Sequence, residues 1–148
     1  MYTVLLLLHS WLRWAALLTC LLALARAASD AGSERSEKAG LFFMIAMDLQ
    51  MLLGILLYAF LSPTTEAILR DFGAAMRDPV ARFWAVEHLT AMLLAVIFAH
   101  LGRILARKAA TPAAKRTRLL ICFGLSLLLM LAGIPWPGMT AGRTLFRI

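Results

Sequence analysis

A few residues of this chain carry reactive groups in surroundings that should exclude them. His9 and Arg13 lie in one apolar run, Asp48 and Gln50 in a second, and Glu87, His88 and His100 in a third. Ionisable groups in such runs cost free energy and point to a site whose partners should be identifiable. His9 is seven residues past Tyr2, and His88 is six past Arg82. At about 1.5 Å per helical residue, both imidazoles fall roughly 10 Å along their runs. Two imidazoles at matching depth on parallel helices suit a bis-histidine haem b, with one axial nitrogen from each helix and the porphyrin edge-on between them. Arg13 follows His9 by four residues and so shares its helix face. Its guanidinium needs an anion: Glu87, Asp48 or a haem propionate. A purely structural Arg13–Glu87 or Arg13–Asp48 pair is the alternative, and it is compatible with a cofactor.

The remaining polar groups are less specific. His100 lies twelve residues after His88, about 18 Å further along and roughly 120° around the helix, a poor phase for a second haem. Met44 or Met47 has the depth to be its co-ligand, but a solvated histidine beside Arg103 is preferred. Met44, Met47 and Met51 form a helical stripe, with Met92 on the third run. Thioethers select Cu(I), yet core packing by an adaptable side chain is the simpler reading. Gln50 and Tyr58 could hydrogen-bond a quinone or a propionate, or bridge helices. Gly54 would permit close helix approach. Cys20 and Cys122 sit in apolar runs without a CxxC or Cys/His partner and read as small buried side chains. Ser10 beside His9 is no triad, because helix neighbours point different ways.

The elements that must position these groups are four apolar runs, at about 2–28, 41–61, 82–103 and 119–136. Each is near the roughly 20 residues a membrane-spanning helix needs. Four spans cannot close a barrel, so helices are expected. Ala25-Arg26-Ala27-Ala28 resembles a signal-peptide cleavage site. However, no positive residue precedes the run and Arg13 interrupts it, so the run is expected to stay as a span. Ser62-Pro63 followed by Glu66 reads as a helix start. Ile68, Phe72 and Met76 then recur every fourth residue. A short amphipathic helix over about 63–77, lying on the outer surface, is expected, with a flexible loop as the alternative.

Composition agrees. The chain is 62% hydrophobic with mean hydropathy +0.83, above the roughly 45–50% apolar content of soluble domains. The net charge is +7, but the cations sit between apolar runs rather than along one face, which argues against nucleic acid. The connectors near 26–38 and 103–118 carry nine Lys and Arg, against five (Arg70, Arg77, Arg82, Arg143 and Arg147) on the other side. This bias places the first and third connectors in the cytoplasm and both termini outside.

The segments His9-Ser10-Trp11-Leu12-Arg13-Trp14, Asp48-Leu49-Gln50-Met51-Leu52-Leu53-Gly54, Val86-Glu87-His88 and Ile134-Pro135-Trp136-Pro137 resemble, in order and spacing, a set of short bacterial membrane proteins labelled cytochrome B. The resemblance covers nearly the whole chain, and the matching positions are His9, Arg13, Trp14, Gln50, Gly54, Glu87, His88 and the Pro-Trp-Pro end. It implies a b-type haem. Small four-helix di-haem cytochromes use four ligand histidines, and this chain has three, so one haem is the most that histidine pairs allow.

The expectation is an all-α, up-down-up-down four-helix bundle, a single transmembrane domain in the bacterial inner membrane with both termini periplasmic. It would carry one haem b for one-electron transfer. His9 and His88 would be the axial ligands, Arg13 would balance a propionate, Glu87 would tune charge, and Gln50 would line the site. Membrane lipid, a quinone or subunits of a respiratory complex would be its partners. The alternatives are a cofactor-free accessory subunit, whose basic third connector meets anionic lipid or an acidic partner, and a small metal-handling membrane protein.

Overall fold

A computed structural model describes residues 1–146; Arg147 and its contribution to the charge bias lie outside the described residues. No strand occurs among those residues. The chain forms α1 (Tyr2–Asp30), α2 (Glu34–Leu56), a π-helical turn (Leu57–Leu61), α3 (Pro63–Arg70), α4 (Phe72–Arg77), α5 (Pro79–Arg82), a second π-helical turn (Phe83–Glu87), α6 (His88–Arg107) and α7 (Pro112–Gly133). Four continuous helices are long and apolar enough to cross a membrane: Tyr2–Asp30, Glu34–Leu61, Pro79–Arg107 and Pro112–Gly133.

These helices exceed the apolar runs because capping residues lie outside them. Gly32, at φ +106°, turns the chain after α1. Ser33 then accepts the Ser36 N–H at 3.1 Å and opens α2, so the first connector shrinks from 26–38 to three residues. Thr111 accepts the Ala114 N–H, with Pro112 in the first turn of α7, and shortens the third connector likewise. Each cap satisfies an N–H that the first helical turn leaves without a partner. At its other end α7 stops at Gly133, because Ile134 precedes Pro135 and takes an extended conformation (ψ 129°). Trp136 therefore lies beyond the fourth helix rather than inside it.

Packing runs around the molecule: α1 against α2 and α7, and α6 against α7 and α2. Both short connectors lie at one end, where Lys115 at the start of α7 meets Glu37 at 2.5 Å. Small residues bring the helices together. Ala16, Cys20, Ala23 and Ala27 line one face of α1 and are fully buried. Phe43 and Phe123 meet edge-to-face at 5.2 Å in the core. Buried Ser126 donates to the Ala95 carbonyl at 2.7 Å, linking α7 to α6.

The segment after α2 follows the sequence signal at its start and departs from it later. Ser62 caps α3 with Pro63 in the first turn, but the helix breaks at Asp71, which caps α4 by accepting the Ala74 N–H. Two short helices replace the single one expected over 63–77. Ile68 and Met76 of that stripe pack with Ala75 and with Ala85 of the second π turn, so two of its three members face the protein, while Phe72 stays exposed.

Gly102 lets α6 approach α7 closely. A Cβ there would meet Cys122 Cβ and Phe123 Cε1 at 2.9 Å, whereas a Cβ on Gly124 would meet nothing within 4 Å. Gly102→Ala should therefore destabilise the fold by about 1–3 kcal/mol through overpacking, and Gly124→Ala should be neutral or stabilising. Thermal unfolding of the two purified variants distinguishes these outcomes.

Candidate functional site

The site lies at the end opposite the short connectors, and its geometry starts from the end of α7. The last carbonyls of a helix have no partner within it, and the Pro-Trp-Pro sequence prevents the chain from supplying the usual ones. Two side chains take over. The Trp136 indole N–H donates to the Leu131 carbonyl at 2.8 Å. His88 Nδ1 lies 2.7 Å from the Gly133 carbonyl. A carbonyl can only accept, so His88 carries its proton on Nδ1, and Nε2 keeps the lone pair. A backbone carbonyl on Nδ1 is the usual way a histidine is fixed for ligation through its other nitrogen.

His9 faces His88 from α1, with ring centroids 6.4 Å apart and planes at 71°. The Gln50 amide nitrogen donates to the His9 carbonyl at 3.1 Å and lies 3.3 Å from His9 Nε2. An amide N–H donates, so His9 Nε2 is the acceptor and Nδ1 carries the proton. That Nδ1 and the Gln50 Oε1 are buried without hydrogen-bond partners. Gly54 makes room for the ring: a Cβ there would come within 3.3 Å of His9 Cε1.

Two adjoining clefts, of about 120 and 80 Å³, share His9, Gln50, Trp84, His88, Met47 and Met92 in their walls. Met51, Gly54 and Tyr58 are among the further residues of the larger, and Arg13, Ser10 and Ile134 among those of the smaller; Arg143 borders both. No Asp or Glu lines either cleft. The walls are apolar apart from a few convergent groups, as small-molecule sites usually are. The Trp84 indole N–H is buried there without a partner.

The π turns position this wall. Tyr58, in the first, donates to the Ala85 carbonyl, in the second, at 2.8 Å. Such turns disrupt the regular ladder and often mark functional sites. The second ends at Glu87, immediately before His88. The C-terminal segment closes the outer side. The Arg143 N–H donates to the Pro135 carbonyl at 3.0 Å, and its guanidinium lies over Trp84 at 5.3 Å. Phe146 stacks on Trp14 at 5.3 Å, and Arg13 Nη2 donates to the Leu145 carbonyl at 2.6 Å.

His9, His88, Gln50 and Arg13 thus converge, together with Met47 and Met51 of the methionine stripe and Met92 of the third run, while Met44 lines neither cleft. Glu87 does not join them. It is exposed and pairs with Arg82 at 2.8 Å, because the residue next to an inward histidine on a helix points away. Asp48 pairs with His100 at 2.7 Å on the outside of α2 and α6. The two carboxylates expected for Arg13 are therefore engaged elsewhere. Trp84, Arg143 and the Gly133 carbonyl were not singled out as site groups by the sequence, whereas Tyr58 was, and it bridges helices through the Ala85 carbonyl. Only the Pro-Trp-Pro stop signals that α7 leaves carbonyls to be satisfied.

Comparison with family models, with curated proteins and with solved structures finds no match.

The Tyr58–Ala85 bond should stabilise the wall by about 1 kcal/mol. Tyr58→Phe is expected to lower the thermal midpoint while leaving the helical circular-dichroism signal unchanged; an unchanged midpoint would mean that the bond contributes nothing.

Proposed function

We propose that the chain is a four-helix membrane bundle that holds one haem b between His9 and His88 and passes single electrons. The observation that carries this reading is the facing pair of imidazoles, with His88 tied through Nδ1 to a backbone carbonyl. The rings lie 6.4 Å apart and Nε2 is the lone-pair nitrogen of both, so His9, once released by Gln50, and His88 would hold the haem. The haem would supply a one-electron couple.

The chain's own residues would do the rest. Gly133 orients His88, and Gln50 and Gly54 set the position of His9. Arg13 and Arg143 bring positive charge to the border of the clefts, where propionates would need it. Met47, Met51, Met92 and Trp84 exclude water, and a dry surround governs the potential of such a centre. The clefts must join and widen to admit a tetrapyrrole, and unbranched methionines are the side chains that yield most readily. Four long apolar helices support a membrane location. The positive charge at the short connectors supports a cytoplasmic position for them in a bacterial inner membrane, with a quinone or a respiratory-complex subunit as electron partner. The resemblance to the cytochrome B set points the same way.

A second reading has its own observation. The Gln50 contact to His9 Nε2 and the modest clefts also suit a cofactor-free accessory subunit knitted by interhelical hydrogen bonds.

The test is the haem content of purified wild type, His9→Ala and His88→Ala after haem-supplemented expression. The account expects about one haem per chain in the wild type and loss of it in both variants. A colourless wild type, or a normal low-spin spectrum in both variants, would sink it in favour of the accessory-subunit reading.

A further inference from the structure

The Asp48–His100 pair takes no part in the site described above. It joins α2 to α6 through a 2.7 Å bond, yet both side chains remain about two-fifths exposed, 46% for Asp48 and 39% for His100. Their surroundings on that surface are apolar. Leu41, Ile45, Leu52 and Ile55 share the exposed face of α2 with Asp48, and Ile97 and Ile104 share that of α6 with His100, at the three- and four-residue spacings that put residues on one helix face. Exposed positions along the middle of α1 and α7, such as Leu18 and Leu128, carry no such pair, and the Arg26–Asp30 pair of α1 lies at its connector end. On the membrane-spanning reading, on which this inference rests, an ionisable pair would face acyl chains that offer no hydrogen bonds.

We infer that the α2–α6 face is the interface of a homodimer, in which a second copy of this chain completes the hydrogen bonds of Asp48 and His100. The argument is one of complementarity. In lipid the pair is cheapest with no net charge, which means one proton shared between Nε2 and Oδ1 and another on Nδ1. Wherever the shared proton sits, the pair then presents one donor, His100 Nδ1–H, and one acceptor, Asp48 Oδ2. A two-fold axis places the same surface opposite itself, so residue i meets j and j meets i. Each His100 Nδ1–H can then donate to the Asp48 of the other copy, leaving no polar group to the lipid. The flanking Leu and Ile side chains would supply the packing around this polar centre, as polar residues in helix interfaces do.

Cysteine cross-linking in intact membranes tests this. Ile97→Cys lies on the proposed face and Leu128→Cys on α7 away from it, while native Cys20 and Cys122 are buried. A bis-maleimide should give a covalent dimer for Ile97→Cys and none for Leu128→Cys. Adding Asp48→Leu and His100→Leu to Ile97→Cys should cut the yield roughly tenfold, as the loss of two interhelical hydrogen bonds predicts, with helical content and haem content unchanged. Equal cross-linking at both positions, none at Ile97→Cys, or an undiminished yield in the leucine variant would overturn the dimer. An alkaline wash of the same membranes separates the two levels of the argument. Chain retained in the pellet without the Ile97→Cys product sinks the dimer alone; chain released into the supernatant sinks the membrane reading and the dimer with it.

Discussion

A helix that must stop leaves carbonyl groups without partners, and at the end of α7 those groups organise their surroundings. Pro135 and Pro137 prevent α7 from continuing. Ile134 N–H still reaches the Met130 carbonyl at 3.0 Å, but the Leu131 and Gly133 carbonyls need donors from side chains. Trp136 supplies one locally and His88 supplies the other from α6. The second of these bonds fixes the tautomer of His88, fixes its ring plane, and leaves Nε2 with a lone pair. A buried acceptor without a partner costs about 1–3 kcal/mol, so the bond contributes to stability while it leaves Nε2 able to accept.

The same economy of polar groups explains the opposite wall. Gln50 occupies the backbone carbonyl and the Nε2 of His9 with one amide nitrogen, and Tyr58 satisfies a carbonyl in a π turn. Among the described residues, His9 Nδ1, Gln50 Oε1 and the Trp84 indole N–H are buried without a partner at the clefts, while Trp14 Nε1 and Arg103 Nη1 are so elsewhere. In most proteins nearly all buried polar groups find partners, so several orphans around one cavity are a reason to look for a ligand there. Glu87 was the natural residue to tune that ligand by charge, yet the helical turn that sends His88 inward sends Glu87 out to Arg82. The charge beside the clefts is therefore positive, from Arg13 and Arg143, with no carboxylate in their walls.

The four long helices were legible because a run of about twenty apolar residues has one main explanation. Their ends were less so: Ser33, Thr111 and the first helical turns after them are polar, and hydropathy cannot separate a capped polar turn from a loop. The break at Asp71 was hidden for a related reason, since the Ile68–Phe72–Met76 spacing fits one continuous helix and only the local competition of the Asp71 carboxylate for the Ala74 N–H interrupts it. The convergence of His9, Arg13 and His88 followed from depth and phase along regular helices, whereas Gln50 was named only for its hydrogen-bonding capacity and the resemblance. The partners of Asp48 and Glu87 did not, because each could reach several cations of suitable depth and only rotation about the helix axes decides among them. The π turns left no trace in the sequence, and they set the rotation of Trp84 and Tyr58.

The central claim is that the paired imidazoles are axial ligands, and an absorption spectrum of the detergent-purified wild-type protein, oxidised and then dithionite-reduced, tests it most directly. Six-coordinate ligation by two histidines predicts a sharp Soret band, a resolved reduced α-band, and a reduced spectrum that carbon monoxide does not change. A protein that takes up no haem, or a reduced spectrum that shifts at once under carbon monoxide, would contradict ligation by both His9 and His88.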